Sequence, residues 1–380
     1  FAKVGRIRRA HAPKFGASIA LHPPKFYAAA MFLEQYVACP GAVQAMSVFL
    51  VFSSEKHMRI FQEAVACLAP QVPQDAWYNV VAYDPKGGWP RSVGVSNQII
   101  AAYKKWHGIM YMMDMKADAP EYGALLDSEL LLYDGHGDGV TGQDCGPDGA
   151  WSRLYDRIRA QEASKRWPAA KVSSTLATYQ FGKITRSGKD YDQQLIRGNA
   201  AFVHQSYRTC EEPGCKEIRR QIEECLFSWW TDVPWTNLTV VGRMVRKLAK
   251  VEPEEATGPG TDLNWRLLST RITWQRFEHL GYQHWTVLHE GFSFRDVTAW
   301  TGPAKWGSYM EDPQPGAKLA PLKPLWVSGQ ALERAERQVL PPLSDEEPPL
   351  LVFHGDQGRS RAHREEHREA FATVIIELAK

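Results

Sequence analysis

A regular alternation of apolar, strand-forming runs with longer helical stretches fills the first 130 residues and constrains the fold more than any other feature. Ser18 to Leu21, Met46 to Phe52 and Tyr78 to Tyr83 are short and rich in aliphatic and aromatic residues, the composition of buried strands. Between them the spacing predicts helices from Lys25 to about Ala38, from a Ser53 or Ser54 cap to about Leu68, and from a Ser96 cap to about Met113. A fourth apolar run, Gly123 to Tyr133, closes the series. Four strand-helix alternations are the pattern of a parallel sheet covered by helices on both faces, an α/β fold. Ligands of such sheets bind beyond the carboxyl ends of the strands. His22, Ser53, Asp84 and the pair Asp127 and Glu129 all fall at predicted strand ends.

Two carboxylates interrupt the fourth run, in Ala-Leu-Leu-Asp127-Ser128-Glu129-Leu-Leu-Leu-Tyr133. On a strand, residues two apart share a face, so Asp127 and Glu129 are expected to project together while Ser128 points away. Two like charges held side by side off water are costly unless a cation lies between them, and a divalent metal is the simplest such partner. Acid-x-acid triplets recur by chance, so the spacing alone carries little. Its weight comes from the placement at the end of an apolar strand, after a long helix and before a Gly-rich loop.

A chain of 380 residues with 44% hydrophobic and 23% charged residues can bury a sizeable core as an elaborated α/β unit. The net charge of +2 gives no overall basic field, so nucleic acid is not an expected partner. No run of eighteen apolar residues occurs, so no membrane-spanning helix is expected. The chain opens at Phe1 without Met, as expected of a processed or trimmed form. Six cysteines lack a paired zinc spacing; Cys210 and Cys215 flank Glu-Glu-Pro-Gly, but free buried thiols are the expectation. Asn237-Leu238-Thr239 is a single glycosylation sequon, which does not decide the compartment.

The expected organisation is a basic arm over 1–14, a ligand-binding α/β half over 15–150, a second half of the same domain over 151–355 and a charged C-terminal helix over 356–380. In the second half, helices are expected from about Trp151 to Lys165, Lys216 to Trp230 and Leu238 to Lys250, with strands carrying loops between Val172 and Tyr207. Trp285 to Glu290 and Leu350 to Phe353 read as further strands, and Gly302 to Pro324 as an extended loop. Nine of the fourteen tryptophans lie between Trp229 and Trp326; such rings suit sugar faces, although core packing is the first expectation for most of them.

Several motifs fail on inspection. Asp134 to Gly139 starts like a calcium loop, but its twelfth position is Cys145 where a bidentate Glu is required. His363-Arg-Glu-Glu366-His367 matches an inverted zinc-peptidase pattern, yet its helix is charged nearly all round and little chain remains to supply a third ligand. Gly-x-Ser-x-Gly, P-loop and dinucleotide fingerprints are missing.

Strand-helix units followed by an apolar strand ending in acid-x-acid resemble a GT-A nucleotide-sugar glycosyltransferase, with a Rossmann-type mixed sheet flanked by helices and a helical, loop-rich C-terminal half. Ala124 to Glu129 matches that family's hydrophobic run plus Asp-x-Asp element, departing from it by Glu in the last place. The resemblance implies Mn²⁺ or Mg²⁺ between Asp127, Glu129 and the diphosphate of a UDP- or GDP-sugar, with a late histidine as further ligand, His354 first and His289 second. It also implies a base for inverting members, for which Asp232 among Trp229, Trp230 and Trp235 is the candidate. His22 and Ser53 would lie near the nucleotide, and Lys104 or Lys105 would reach a phosphate. The acceptor would be a hydroxyl of a glycan, protein or lipid, in a Golgi or endoplasmic-reticulum lumen or in the cytoplasm. The alternative is a catalytically inactive scaffold of the same fold, a subunit of a larger assembly; a nucleotidylyltransferase is disfavoured because no Gly-rich basic loop follows the first strand.

Overall fold

The computed structural model of the chain describes residues 13–82, 97–115, 118–126, 128, 130–133, 150–171, 178–181, 184–227, 235–248, 278–296, 351–354 and 369–374. Its centre is a mixed five-stranded sheet. Strands β1 (Phe15–Ala20), β2 (Met46–Phe52), β3 (Tyr78–Val81) and β4 (Tyr122–Leu126) run parallel, and β10 (Trp235–Asn237) is antiparallel on the β4 edge. The order across the sheet is β10-β4-β1-β2-β3. The α/β class and a mostly parallel sheet flanked by helices, compatible with a Rossmann-like fold, are therefore as expected.

Every residue of β1, β2 and β4 is buried, because both faces of the sheet are covered. Alternate side chains go to two separate cores. Ala17, Ile19, Val48, Leu50, Ala124 and Leu126 pack into the first, with α1 (Phe26–Ala38) and α3 (Glu55–Leu68). Phe49, Val51 and Leu125 enter the second, beneath α4 (Asn97–Asp114). A strand buried on both faces shows no polar alternation, and this is why the runs read as continuously apolar. In α3, by contrast, only one face is buried, at Ile60, Phe61, Ala64 and Val65. Ser54 is its cap, accepting a hydrogen bond from the His57 amide at 3.2 Å.

Helix α4 lies unusually close to the sheet. Ser18 Oγ donates to the Lys105 carbonyl at 2.8 Å, and a β-carbon on Gly108 would come within 2.9 Å of both Ser18 Cβ and Val51 Cγ2. Only glycine allows this approach.

Between β2 and β1 lies the short helix α2 (Pro40–Ala45), which the sequence did not suggest. The run Gly123 to Tyr133 is not one strand. β4 ends at Leu126, Ser128 forms a buried bend, and β5 (Leu130–Tyr133) belongs to another sheet, paired antiparallel with β12 (Leu351–His354). Asp127 and Glu129 lie outside the described residues. Carboxylates next to a doubly buried ladder are costly to keep in it, which is a physical reason for the break.

The second half holds α5 (Ala150–Ser164), β6 (Arg166–Lys171), β7 (Thr178–Phe181), β8 (Ile184–Ser187), α6 (Gly188–Val203), α7 (Pro213–Glu224), β9 (Leu226–Phe227), α8 (Leu238–Leu248), α9 (Glu278–His289) and β11 (Ser293–Asp296). Two expectations fail here. The stretch expected as strands up to Tyr207 contains helix α6, whose buried Leu195, Ile196, Asn199, Ala200 and Val203 recur at helical spacing. Trp285 to His289 is the end of helix α9, not a strand. Leu280 to Leu288 is buried on every side, among α6, α7 and α8, so no amphipathic period marked it as a helix. Helix α7 ends earlier than expected, at a left-handed Cys225 with φ 52°.

The sequon has a structural job. Asn237 Oδ1 accepts from the Thr239 and Val240 amides, at 3.0 and 3.3 Å, and caps α8. Asn237→Ala is expected to cost about 1 kcal/mol in chemical denaturation; an unchanged midpoint would show that the cap contributes nothing.

Candidate functional site

The strand order reverses between β1 and β4. From β1 the chain proceeds outward through β2 to β3, then returns to place β4 on the other side of β1. This is a topological switch point, where the loops leaving two neighbouring parallel strands diverge and open a crevice beyond their carboxyl ends. Ile19 pairs with Leu126, so β1 and β4 end side by side in register.

Lys104 sits beneath this edge. The middle of α4 is buried on all sides, and the Lys104 side chain with it, at 2% exposure. Its ammonium donates to the Leu21 carbonyl, directly after β1. Burial pushes its pKa from 10.5 down to about 8. Among the described residues no carboxylate pairs with it. Lys105 is buried too, so neither lysine is the solvated surface residue that two adjacent lysines on a helix usually are.

His57, in the first turn of α3, completes the described part of the edge. Burial lowers its pKa first, and the nearby positive charges of Lys104 and Lys56 lower it further. Its Nδ1 is buried without a hydrogen-bond partner. Nothing in the sequence marks His57, because one histidine in a helical first turn carries no spacing signal. Ser53 is half-buried at the end of β2, and His22 is exposed in extended backbone before the 3-10 turn Pro23–Lys25. Lys104 and His57 meet here, at the ends of β1 and β2, with His22 and Ser53 on the strand-end segments beside them.

Asp127, Glu129, Asp84 and Asp232, with Trp229 and Trp230, lie outside the described residues. His354 is the last residue of β12 rather than the residue after it, and its backbone pairs with Leu130, the neighbour of Glu129. The ladder of β5 with β12 begins at Leu130, four residues after the end of β4.

His289 is elsewhere. It packs on Trp285, with ring centroids 4.2 Å apart, and near His204 at 6.4 Å, within the second half. The described tryptophans Trp77, Trp106, Trp167, Trp235 and Trp285 are core residues. Cys210 and Cys215 form a disulfide and Cys39 is also disulfide-bonded, contrary to the expectation of free thiols; Cys67 and Cys225 are thiols. No described helix is long and apolar enough to cross a membrane.

No protein-family model matches this chain, and no curated protein matches it either.

Proposed function

We propose that the chain is a metal-dependent glycosyltransferase that moves a sugar from a nucleoside-diphosphate sugar to an acceptor hydroxyl. The observation that carries the reading is the buried Lys104 under the switch point between β1 and β4, its ammonium bonded to a single backbone carbonyl among the described residues. A buried cation without a counter-charge is unfavourable unless an anion arrives, and a diphosphate is an anion of the right kind at the right edge. Asp127, Glu129 and His354 are the proposed metal ligands, and Lys104 and His57 the groups facing the phosphates. The departure of Glu129 from the family's Asp lengthens one ligand and keeps its charge. A bound Mn²⁺ or Mg²⁺ would supply charge neutralisation at the departing diphosphate. Lys104 holds a second positive charge against the same oxygens. Asp232 is the proposed base that takes the acceptor's proton.

Calorimetric titration with UDP and GDP, with and without Mn²⁺, tests the reading. Binding at least tenfold tighter with Mn²⁺, lost in Asp127→Ala and Glu129→Ala, is expected. Absence of any metal advantage would remove the site as drawn. The same burial of Lys104 also favours a second reading, in which the acidic pair serves as its permanent counter-charge in an inactive scaffold. Then neither nucleotide would bind, and Asp127→Ala would lower stability instead.

A further inference from the structure

The turn between α6 and α7 gathers three soft donors far from the sheet edge. His204 follows α6 directly, Cys210 closes the turn, and Cys215 lies in the first turn of α7, fully buried. Their donor atoms all lie within 4.8 Å of one another. His204 Nδ1 is buried and has no hydrogen-bond partner among the described residues. A buried imidazole nitrogen with nothing to bond is an anomaly in a turn otherwise dense in hydrogen bonds.

The turn is held by more than its disulfide. Arg219 Nη1 reaches the carbonyls of Tyr207 and Cys210, at 3.0 and 2.6 Å. The Tyr207 amide bonds to the His204 carbonyl at 3.1 Å, the Cys210 amide to Ser206 at 3.0 Å and the Lys216 amide to Glu212 at 3.1 Å. Lys216 and Glu211 pair at 3.3 Å. Opening the sulfur-sulfur bond therefore leaves both cysteines facing His204.

We propose that His204, Cys210 and Cys215 form a zinc site that is available only when the Cys210–Cys215 disulfide is reduced. Two thiolates and an imidazole are the donor set that Zn²⁺ prefers, with water in the fourth position. Disulfide and metal exclude each other, because each uses the same two sulfurs. The exchange balances as follows: a phosphine and one water convert the disulfide to two thiols and a phosphine oxide, and Zn²⁺ then displaces the two thiol protons. The redox poise of the surroundings decides which form the chain carries.

The test uses the full chain with Cys67→Ser, to remove the exposed thiol, reduced with a water-soluble phosphine and freed of it before Co²⁺ is added as a spectroscopic stand-in for zinc. One equivalent of Co²⁺ with sulfur-to-cobalt charge-transfer absorption and tetrahedral ligand-field bands is expected, displaced by Zn²⁺, whereas the oxidised protein shows neither. His204→Ala is expected to weaken Co²⁺ binding at least tenfold, and Cys210→Ser, at a half-buried position, to abolish the charge-transfer band. Circular dichroism of the reduced, metal-free protein should match that of the oxidised form. Loss of fold on reduction, no stoichiometric Co²⁺, or a spectrum unchanged in Cys210→Ser or His204→Ala would each overturn the proposal.

Discussion

Lys104→Met is expected to stabilise the ligand-free protein at pH 7 and to weaken nucleotide binding at the same time. In the fold Lys104 titrates at about 8 against 10.5 for a free lysine, because it is buried. Between these two values the unfolded chain holds a proton that the folded chain has released, so stability rises with pH across that window. Below about pH 8 the folded protein carries the whole cost of a buried charge, on the order of 3 kcal/mol. Methionine keeps the stem and removes the charge, while leaving the Leu21 carbonyl without its partner. The expected net gain is roughly 1 to 3 kcal/mol, with the rise of stability between pH 8 and 10.5 abolished. Affinity for UDP or GDP should fall tenfold or more, the scale of one charge-assisted hydrogen bond. Denaturant unfolding at pH 7 and pH 10, together with calorimetry, reads both halves. A variant that is less stable yet binds nucleotide normally would make Lys104 a structural residue and end its assignment to the phosphates.

Gly108→Val is expected to be strongly damaging where α4 meets the sheet. The position faces Ser18 on β1 and Val51 on β2, where even one added carbon would come within 2.9 Å of Ser18 Cβ and Val51 Cγ2. Neither neighbour has room to give way. Ser18 is tied to the Lys105 carbonyl and fully buried, and Val51 is fully buried in the second core. Overpacking of this kind costs about 3 kcal/mol, more than the ~1 kcal/mol that replacing a helical glycine returns. A fall in Tm of roughly 2 to 4 °C is expected. Because α4 carries Lys104, the shift should also weaken nucleotide binding. Thermal unfolding unchanged within a degree would mean that α4 can lift from the sheet at little cost, contrary to the packing at Ser18.

Strand β2 and helices α1, α3 and α8 were legible to within a few residues, for local reasons. Doubly buried strands are continuously apolar, α3 shows one apolar face, and proline or serine marks the starts. The failures share a different cause. Helix α9 is buried on every side and so shows no period, and the apolar spacing of α6 lies within a polar stretch that also accommodates strands. The site was legible only as a set of strand ends. His57 gave no signal, and the burial of Lys104 contradicts the usual fate of paired lysines.

By itself the sequence determined the α/β class and the succession of strands and helices in the first half, with His22 and Ser53 following the first two strands. These follow from the one-dimensional spacing of apolar residues, which reports how each element meets its own surroundings. Tertiary structure decided the strand order that makes β1 and β4 neighbours, the division of Gly123 to Tyr133 between two sheets, the pairing of His354 with Leu130, and the Cys210–Cys215 bond. Each of these depends on which distant segments meet, and long-range pairing leaves no trace in local periodicity. The switch point beneath which Lys104 is buried exists only because the chain returns across β1 to form β4.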